Sequence, residues 1–194
     1  APSAILSQST TTTQWSSYSG PDTVELKCRF DGYPVPSVEL SKDDRHIKTA
    51  VSNGQGSLTH RFSTKTIDDF GFYGCTAKNS QGQATHYMEV AKLGPPEPPR
   101  NITFGVGCDY VRVDWMPPLS SRGRPVTSYR VELLQNGRVV SGENLGISER
   151  SYMFFQLKKY ASYELRMNCK NSQGKGAWET HAFSTPDICK WHTD

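Results

Sequence analysis

Asp69-Phe70-Gly71-Phe72-Tyr73-Gly74-Cys75-Thr76-Ala77-Lys78-Asn79 is the stretch that decides the fold. Tyr73 precedes Cys75 by two positions, the spacing at which a phenol hydroxyl bonds back to the backbone at the start of a strand. Upstream, Val24-x-Leu26-x-Cys28 places apolar residues at every second position, as a half-buried strand requires. Elsewhere Pro and Gly punctuate the chain at short intervals, and the segments between them alternate and are rich in β-branched and aromatic residues. Helical periodicity is nowhere sustained. The chain therefore reads as all-β, built of sandwiches or barrels.

The quoted stretch matches in full the pattern Asp-x-Gly-x-Tyr-x-Cys-x-Ala-x-Asn, and residues 1–93 thereby resemble an immunoglobulin domain of the I-set. The resemblance implies a Cys28–Cys75 bridge between two sheets. In the chain-entropy picture such a bridge is worth about 4 kcal/mol, because the closed loop is long. One position departs from the family. The Trp that usually packs on this disulfide is replaced by Leu40, in Val38-Glu39-Leu40-Ser41-Lys42. Trp15 is expected to fill part of the space.

Leu93-Gly94-Pro95-Pro96-Glu97-Pro98-Pro99 marks a boundary. Prolines hold the backbone extended and cannot donate to a central ladder, so residues 94–99 read as a short, semi-rigid joint. Beyond it, Val111, Val113 and Trp115 alternate before Pro117-Pro118, and Tyr129, Val131 and Leu133 alternate on a following strand. Asn136-Gly137 is a tight hairpin turn, although Asn136-Gly137-Arg138 is also known as a short cell-binding tripeptide. Leu157 precedes Tyr163-x-Leu165-x-Met167-x-Cys169-x-Asn171. With Trp115 and the two prolines, this resembles a fibronectin type III domain over residues 100–186, leaving 187–194 as a tail. Trp115, Leu157 and Tyr163 match that family's core positions. Lys-Asn-Ser-Gln-Gly occurs twice, at 78–82 and 170–174, and each copy reads as a hairpin turn between the last two strands of its domain.

There are five cysteines, Cys28, Cys75, Cys108, Cys169 and Cys189, so they cannot all pair within one chain. In the fibronectin fold Cys108 opens a strand at the end where the last strand finishes before Cys189. Cys169 lies about 20 Å further along its own strand, at ~3.3 Å per residue. A disulfide needs Cα atoms within about 7 Å. The expected pair is Cys108–Cys189, with Cys169 a buried free thiol. Asn101-Ile102-Thr103 is an N-glycosylation acceptor sequence, which a disulfide framework makes more credible.

Other candidates are set aside. Asp69-Phe70-Gly71 spells a kinase tripeptide, but the chain lacks the Gly-rich loop, strand Lys and catalytic-loop Asp that a kinase needs. His46, His60, His86, His181 and His192 show no metal-ligand spacing. His60, between Leu58 and Phe62, reads as partly buried. Lys42, Asp43, Asp44, Arg45, His46 and Lys48 read as a solvated loop. Arg122 and Arg124 are expected at the opposite end of the second domain from Lys158 and Lys159, which disfavours a single heparin groove. Net charge is +3, too small to suggest nucleic acid as a partner. No run is long and apolar enough to insert in a bilayer. The lack of an initiating Met and leader reads as a mature or excised segment, with any membrane anchor outside it. No enzyme activity, cofactor or metal is expected.

The tandem resembles immunoglobulin-superfamily adhesion molecules and neuronal receptors, of which the neural cell adhesion molecule and fasciclin families are the nearest pattern. That resemblance implies a glycoprotein segment on the extracellular face of the plasma membrane, or secreted. It would bind cell-surface or secreted proteins, a second copy of itself included, in adhesion, axon guidance or synapse formation. Two other readings stay open. One is an intracellular muscle scaffold of the titin or twitchin type. The other is an ectodomain segment of a receptor kinase or phosphatase.

Overall fold

In a computed structural model that describes residues 1–18, 20–50 and 56–186, the chain divides into two units, Ala1–Leu93 and Gly94–Asp194. The first unit contains β1 (Ser3–Ala4), β2 (Gln14–Ser16), β3 (Thr23–Asp31), β4 (Ser37–Lys42), β5 (Arg45–Ala50), β6 (Ser57–Ser63), β7 (Gly71–Asn79) and β8 (Gly82–Lys92). One sheet has the order β1-β3-β6, and the other β2-β8-β7-β4-β5. Their inner faces meet in a core of Leu26, Cys28 and Phe30 from β3, Leu58 from β6, Val38 and Leu40 from β4, and Cys75 and Ala77 from β7. Cys28 and Cys75 are disulfide-bonded across the sheets, with Cα atoms 6.4 Å apart and a sequence separation of 47.

Tyr73 fixes the start of β7. Its hydroxyl donates to the Asp69 carbonyl at 2.8 Å, while the Asp69 carboxylate accepts from the Thr66 and Lys65 amides at 2.7 Å. Those two amides, Thr66 first, hold the Asp69 carboxyl below the usual aspartate range. The sheets are also tied by a buried polar pair, Ser16 and Thr64, whose hydroxyls lie 2.9 Å apart.

Two expectations change here. Trp15 is 36% exposed and stands outside the core, so it does not repack the site at Leu40. Its neighbour Ser16 takes the inward position, and strand alternation turns Trp15 outward. The charge-rich stretch after Lys42 is a hairpin rather than a loop. Asp43 and Asp44 have φ of 48° and 60°, and β5 then pairs back on β4. Short acidic side chains tolerate that left-handed backbone and so allow the tight turn.

The second unit contains β9 (Arg100–Val106), β10 (Tyr110–Met116), β11 (Ser128–Gln135), β12 (Arg138–Leu145), β13 (Ser151–Phe155), β14 (Ser162–Asn171), β15 (Gly174–Lys175) and β16 (Glu179–Ser184). One sheet has the order β13-β10-β9; the other runs β12-β11-β14-β15, with β16 also on β14. Trp115, Leu157 and Tyr163 are all buried in the core between them. Trp115 meets Tyr129 edge-on at 5.6 Å, and the Tyr163 hydroxyl accepts from the Lys158 amide at 2.9 Å. The Asn136-Gly137 turn has φ of 50° and 73°, and it pairs Gln135 with Arg138.

The repeated Lys-Asn-Ser-Gln-Gly segments close equivalent hairpins, pairing Asn79 with Gly82 and Asn171 with Gly174. In each, the Asn side-chain oxygen accepts from an amide two residues on, at 2.9 Å in the first and 2.8 Å in the second. Their amide nitrogens differ. That of Asn79 donates to the Pro34 carbonyl, whereas that of buried Asn171 faces the carbonyls of Gly94, Ser121 and Arg124. The Gly94 amide donates to Arg122 and the Glu97 amide to Ser120. The Pro-rich stretch is therefore bonded into the second unit, and its first residue, Gly94, is held by both Asn171 and the Arg122 carbonyl.

Replacing Asn171 by Ala takes a buried donor away from part-buried carbonyls. It should lower the stability of the second unit by about 1–3 kcal/mol in urea unfolding. The same change at Asn79, whose amide serves one exposed carbonyl, should cost less in the first unit.

Candidate functional site

Because Tyr73, Cys75 and Ala77 point into the first core, Phe72, Gly74 and Thr76 must face out from β7. On β8 the paired outward positions are Glu89, Tyr87 and Thr85. Phe72 is 63% exposed and Tyr87 68%. The Tyr87 ring covers Gly74, passing 3.4 Å from where a Cβ would stand. Trp15 joins the same face through its pairing with Ala91. Small polar groups flank the aromatics. Ser41 donates to the Gly74 carbonyl, Thr76 and Thr85 share a 3.0 Å hydroxyl contact, and Thr13 donates to Glu89 at 2.7 Å. Large aromatics grouped on an exposed sheet with a polar surround are the composition of a protein-binding patch.

The second unit presents a charged face. Arg166 and Asn168 alternate outward from β14, and Arg130 and Glu132 from β11. The Glu132 carboxylate accepts from Arg130 Nε at 3.0 Å and from Arg166 Nε and Nη2 at 2.8 and 2.7 Å. The Trp178 ring lies 4.5 Å from the Arg166 guanidinium carbon and covers its other side. Gly142 leaves room for this group, since a Cβ there would sit 2.8 Å from Arg130 Nη2. Burial raises the Glu132 pKa, but the hydrogen bonds from Arg166 and Arg130 outweigh it and the net shift is downward. This cluster of two guanidiniums, one carboxylate and one indole was not read from the sequence. Arg130 reaches Glu132 along β11, two residues away, but Arg166 reaches it only through the pairing of β11 with β14, 34 residues apart in sequence.

Of the other expected residues, Cys169 is a buried free thiol, pushed up to about 12 by burial alone. Cys108 is not a free thiol. Cys189 lies outside the described residues, as does His192. Asn101 is exposed on β9. His60 is partly buried and stacks on Phe62 at 5.1 Å; burial, with Lys48 nearby, pulls its pKa down. Among the described residues no group of three or more His, Cys, Asp or Glu is placed to hold a metal ion, and no helix is long and apolar enough to cross a membrane.

Glu132→Gln should remove roughly 1–3 kcal/mol from the second unit, because two guanidiniums lose a charged acceptor. Since the folded Glu132 pKa is lowered, its contribution is present above the unfolded value, about 4.3. It is lost as pH falls through the folded value, so the variant's deficit in urea unfolding should shrink in acid. We also propose the Cys108–Cys189 pair. Non-reducing peptide mapping should recover it with Cys169 unpaired, and a bond from Cys169 to either cysteine would contradict the assignment.

Comparison with known proteins agrees with this architecture. The immunoglobulin I-set model matches residues 9–91, and the fibronectin type III model matches residues 97–185. The chain is 28% identical over 183 residues to cell adhesion molecule DSCAML1 of Homo sapiens, covering 91% of this chain and 9% of that protein. It is 27% identical over 183 residues to cell adhesion molecule DSCAM of Rattus norvegicus, at the same coverage of 91% and 9%. A titin homolog of Caenorhabditis elegans is 28% identical over 111 residues, covering 56% of this chain and 1% of that protein. The chain thus spans less than a tenth of the length of these relatives. It is an immunoglobulin I-set domain joined to a fibronectin type III domain, each a member of the family whose pattern it matches.

Proposed function

We propose that this segment is an extracellular, protein-binding part of a cell-surface adhesion or guidance receptor. In this reading it mediates homophilic or heterophilic recognition between cells, in neurons above all. Residues 1–93 and 100–186 are the two binding modules, and the anchor lies elsewhere in the protein. The observation that carries the reading is the similarity to the two cell adhesion molecules, which covers 91% of the chain and so takes in both modules together. The Cys28–Cys75 disulfide supports it, because such bonds persist in oxidising compartments. The aromatic face of β7 and β8 is the surface through which the first module would act, with a protein on the facing cell as its partner.

The match to a titin homolog favours a second reading, an intracellular scaffold. Redox state separates the two, since cytosolic thiols stay reduced.

The test is to display the segment on beads, mix them with one another, and probe them with a panel of cell-surface ectodomains. We expect clustering or capture of a defined partner. Phe72→Ala and Tyr87→Ala should weaken it by roughly 30-fold if each ring is a central anchor. Neither change should unfold the module, because both rings are exposed. Failure to bind any ectodomain or a second copy would contradict the reading.

A further inference from the structure

Asn101-Ile102-Thr103 is the only acceptor sequence of its kind in the chain, and the structure places it on an unusual piece of surface. Asn101 and Thr103 are exposed, while Ile102 between them packs against the core. Among the described residues β9 pairs only with β10, so its other edge is open. Asn101 has φ of 51°, and its amide nitrogen lies 3.3 Å from the Met116 sulfur, at the surface. Met116 is 46% exposed and Leu119 80%. A groove beside Asn101 is lined by apolar groups of Pro98, Pro99, Ile102 and Leu119 and by charged or polar groups of Glu97, Arg100, Glu179 and His181.

The backbone explains Asn101 by itself, because Asn is one of the few residues that tolerates a positive φ. It does not explain Thr103. That side chain is exposed, and its hydroxyl makes no hydrogen bond among the described residues. A β-branched residue suits a strand whatever its hydroxyl does, and a hydroxyl two residues after an exposed Asn is also what N-linked glycosylation requires.

We propose that Asn101 carries an N-linked glycan whose first sugars lie along the Leu119 groove and cover the open edge of β9. In the transfer, the Asn101 amide nitrogen attacks C1 of a lipid-diphosphate-linked oligosaccharide. The N–C bond forms, the bond from C1 to the phosphate oxygen breaks, the lipid diphosphate leaves, and the amide gives up one proton. The groove suits a sugar. Proline and leucine carbons match the apolar faces of pyranose rings, and Glu179 and His181 can bond to their hydroxyls. An unpaired strand edge invites pairing with another chain, and a tethered glycan there blocks it. The proposal rests on passage through a secretory route and therefore on the adhesion reading.

The test is to secrete the chain from animal cells behind a cleavable leader and measure intact mass before and after peptide N-glycosidase. The parent should lose one glycan on digestion, with aspartate left at position 101. Thr103→Ala should emerge without the glycan, Asn101→Gln likewise, and Thr103→Ser should retain it. Methyl NMR signals of Met116 and Leu119 should move when the glycan is removed. A parent with bare polypeptide mass, or a glycan that persists in Thr103→Ala, would overturn the site. Unmoved methyl signals would overturn the placement in the groove. A bare parent that still forms Cys28–Cys75 and binds its partner would remove this proposal and leave the adhesion reading standing. A bare parent with reduced thiols and no partner would remove both.

Discussion

The first unit depends on one cross-link, Cys28–Cys75, between central strands of opposite sheets. Both sulfurs are buried, and their neighbours two positions away on β3 and β7 are core residues. A strand's side chains alternate with period two, so fixing Cys75 inward fixes every other residue of β7. Tyr73 and Ala77 follow it inward, and Phe72, Gly74 and Thr76 are committed to the surface. A slip of one residue would bury Phe72 and expose the disulfide. The Tyr73 hydroxyl on Asp69 guards against that slip from the strand's start. The exposed aromatic face is thus set by the same constraint that makes the core.

The second unit reaches a similar result without a bond between its central strands. Cys169 occupies the inward position on β14 and stays a thiol, packed with Met167 and Leu165. Trp115 and Tyr129 supply bulk, and the Tyr163 hydroxyl anchors β14 at its start as Tyr73 anchors β7. The outward residues of β11 and β14 then gather Glu132 between two arginines. The two modules present different chemistry from equivalent sheets, aromatic in one and charged in the other.

Much of this was legible in the sequence, because the decisive signals are local. The strand through Cys75, the Asn136-Gly137 turn, the two Lys-Asn-Ser-Gln-Gly hairpins and the core roles of Trp115, Leu157 and Tyr163 depend on residues a few positions apart. What escaped depends on residues far apart. Trp15 looked like a core filler because its type favours burial; a single-residue register choice in a three-residue strand sent it outward. Residues 94–99 are anchored by groups far along the chain, Asn171, 77 positions from Gly94, and the carbonyls of Ser120 and Arg122. The Glu132 cluster needs two strands in register. The charge-rich stretch after Lys42 reads as a loop by composition, but a pair of Asp residues in left-handed conformation makes it a hairpin.

A buried disulfide, an acceptor Asn on an exposed strand and a sheet face of exposed aromatics are what the proposed extracellular reading calls for. Labelling intact cells that make the full-length protein with a membrane-impermeant amine reagent tests that claim most directly. Lys78, Lys159 and Lys175 are exposed in this segment and can report on it. The account predicts that peptides bearing these lysines are labelled on unbroken cells and that permeabilisation adds little. Labelling that appears only after the membrane is opened would contradict it and favour the intracellular scaffold.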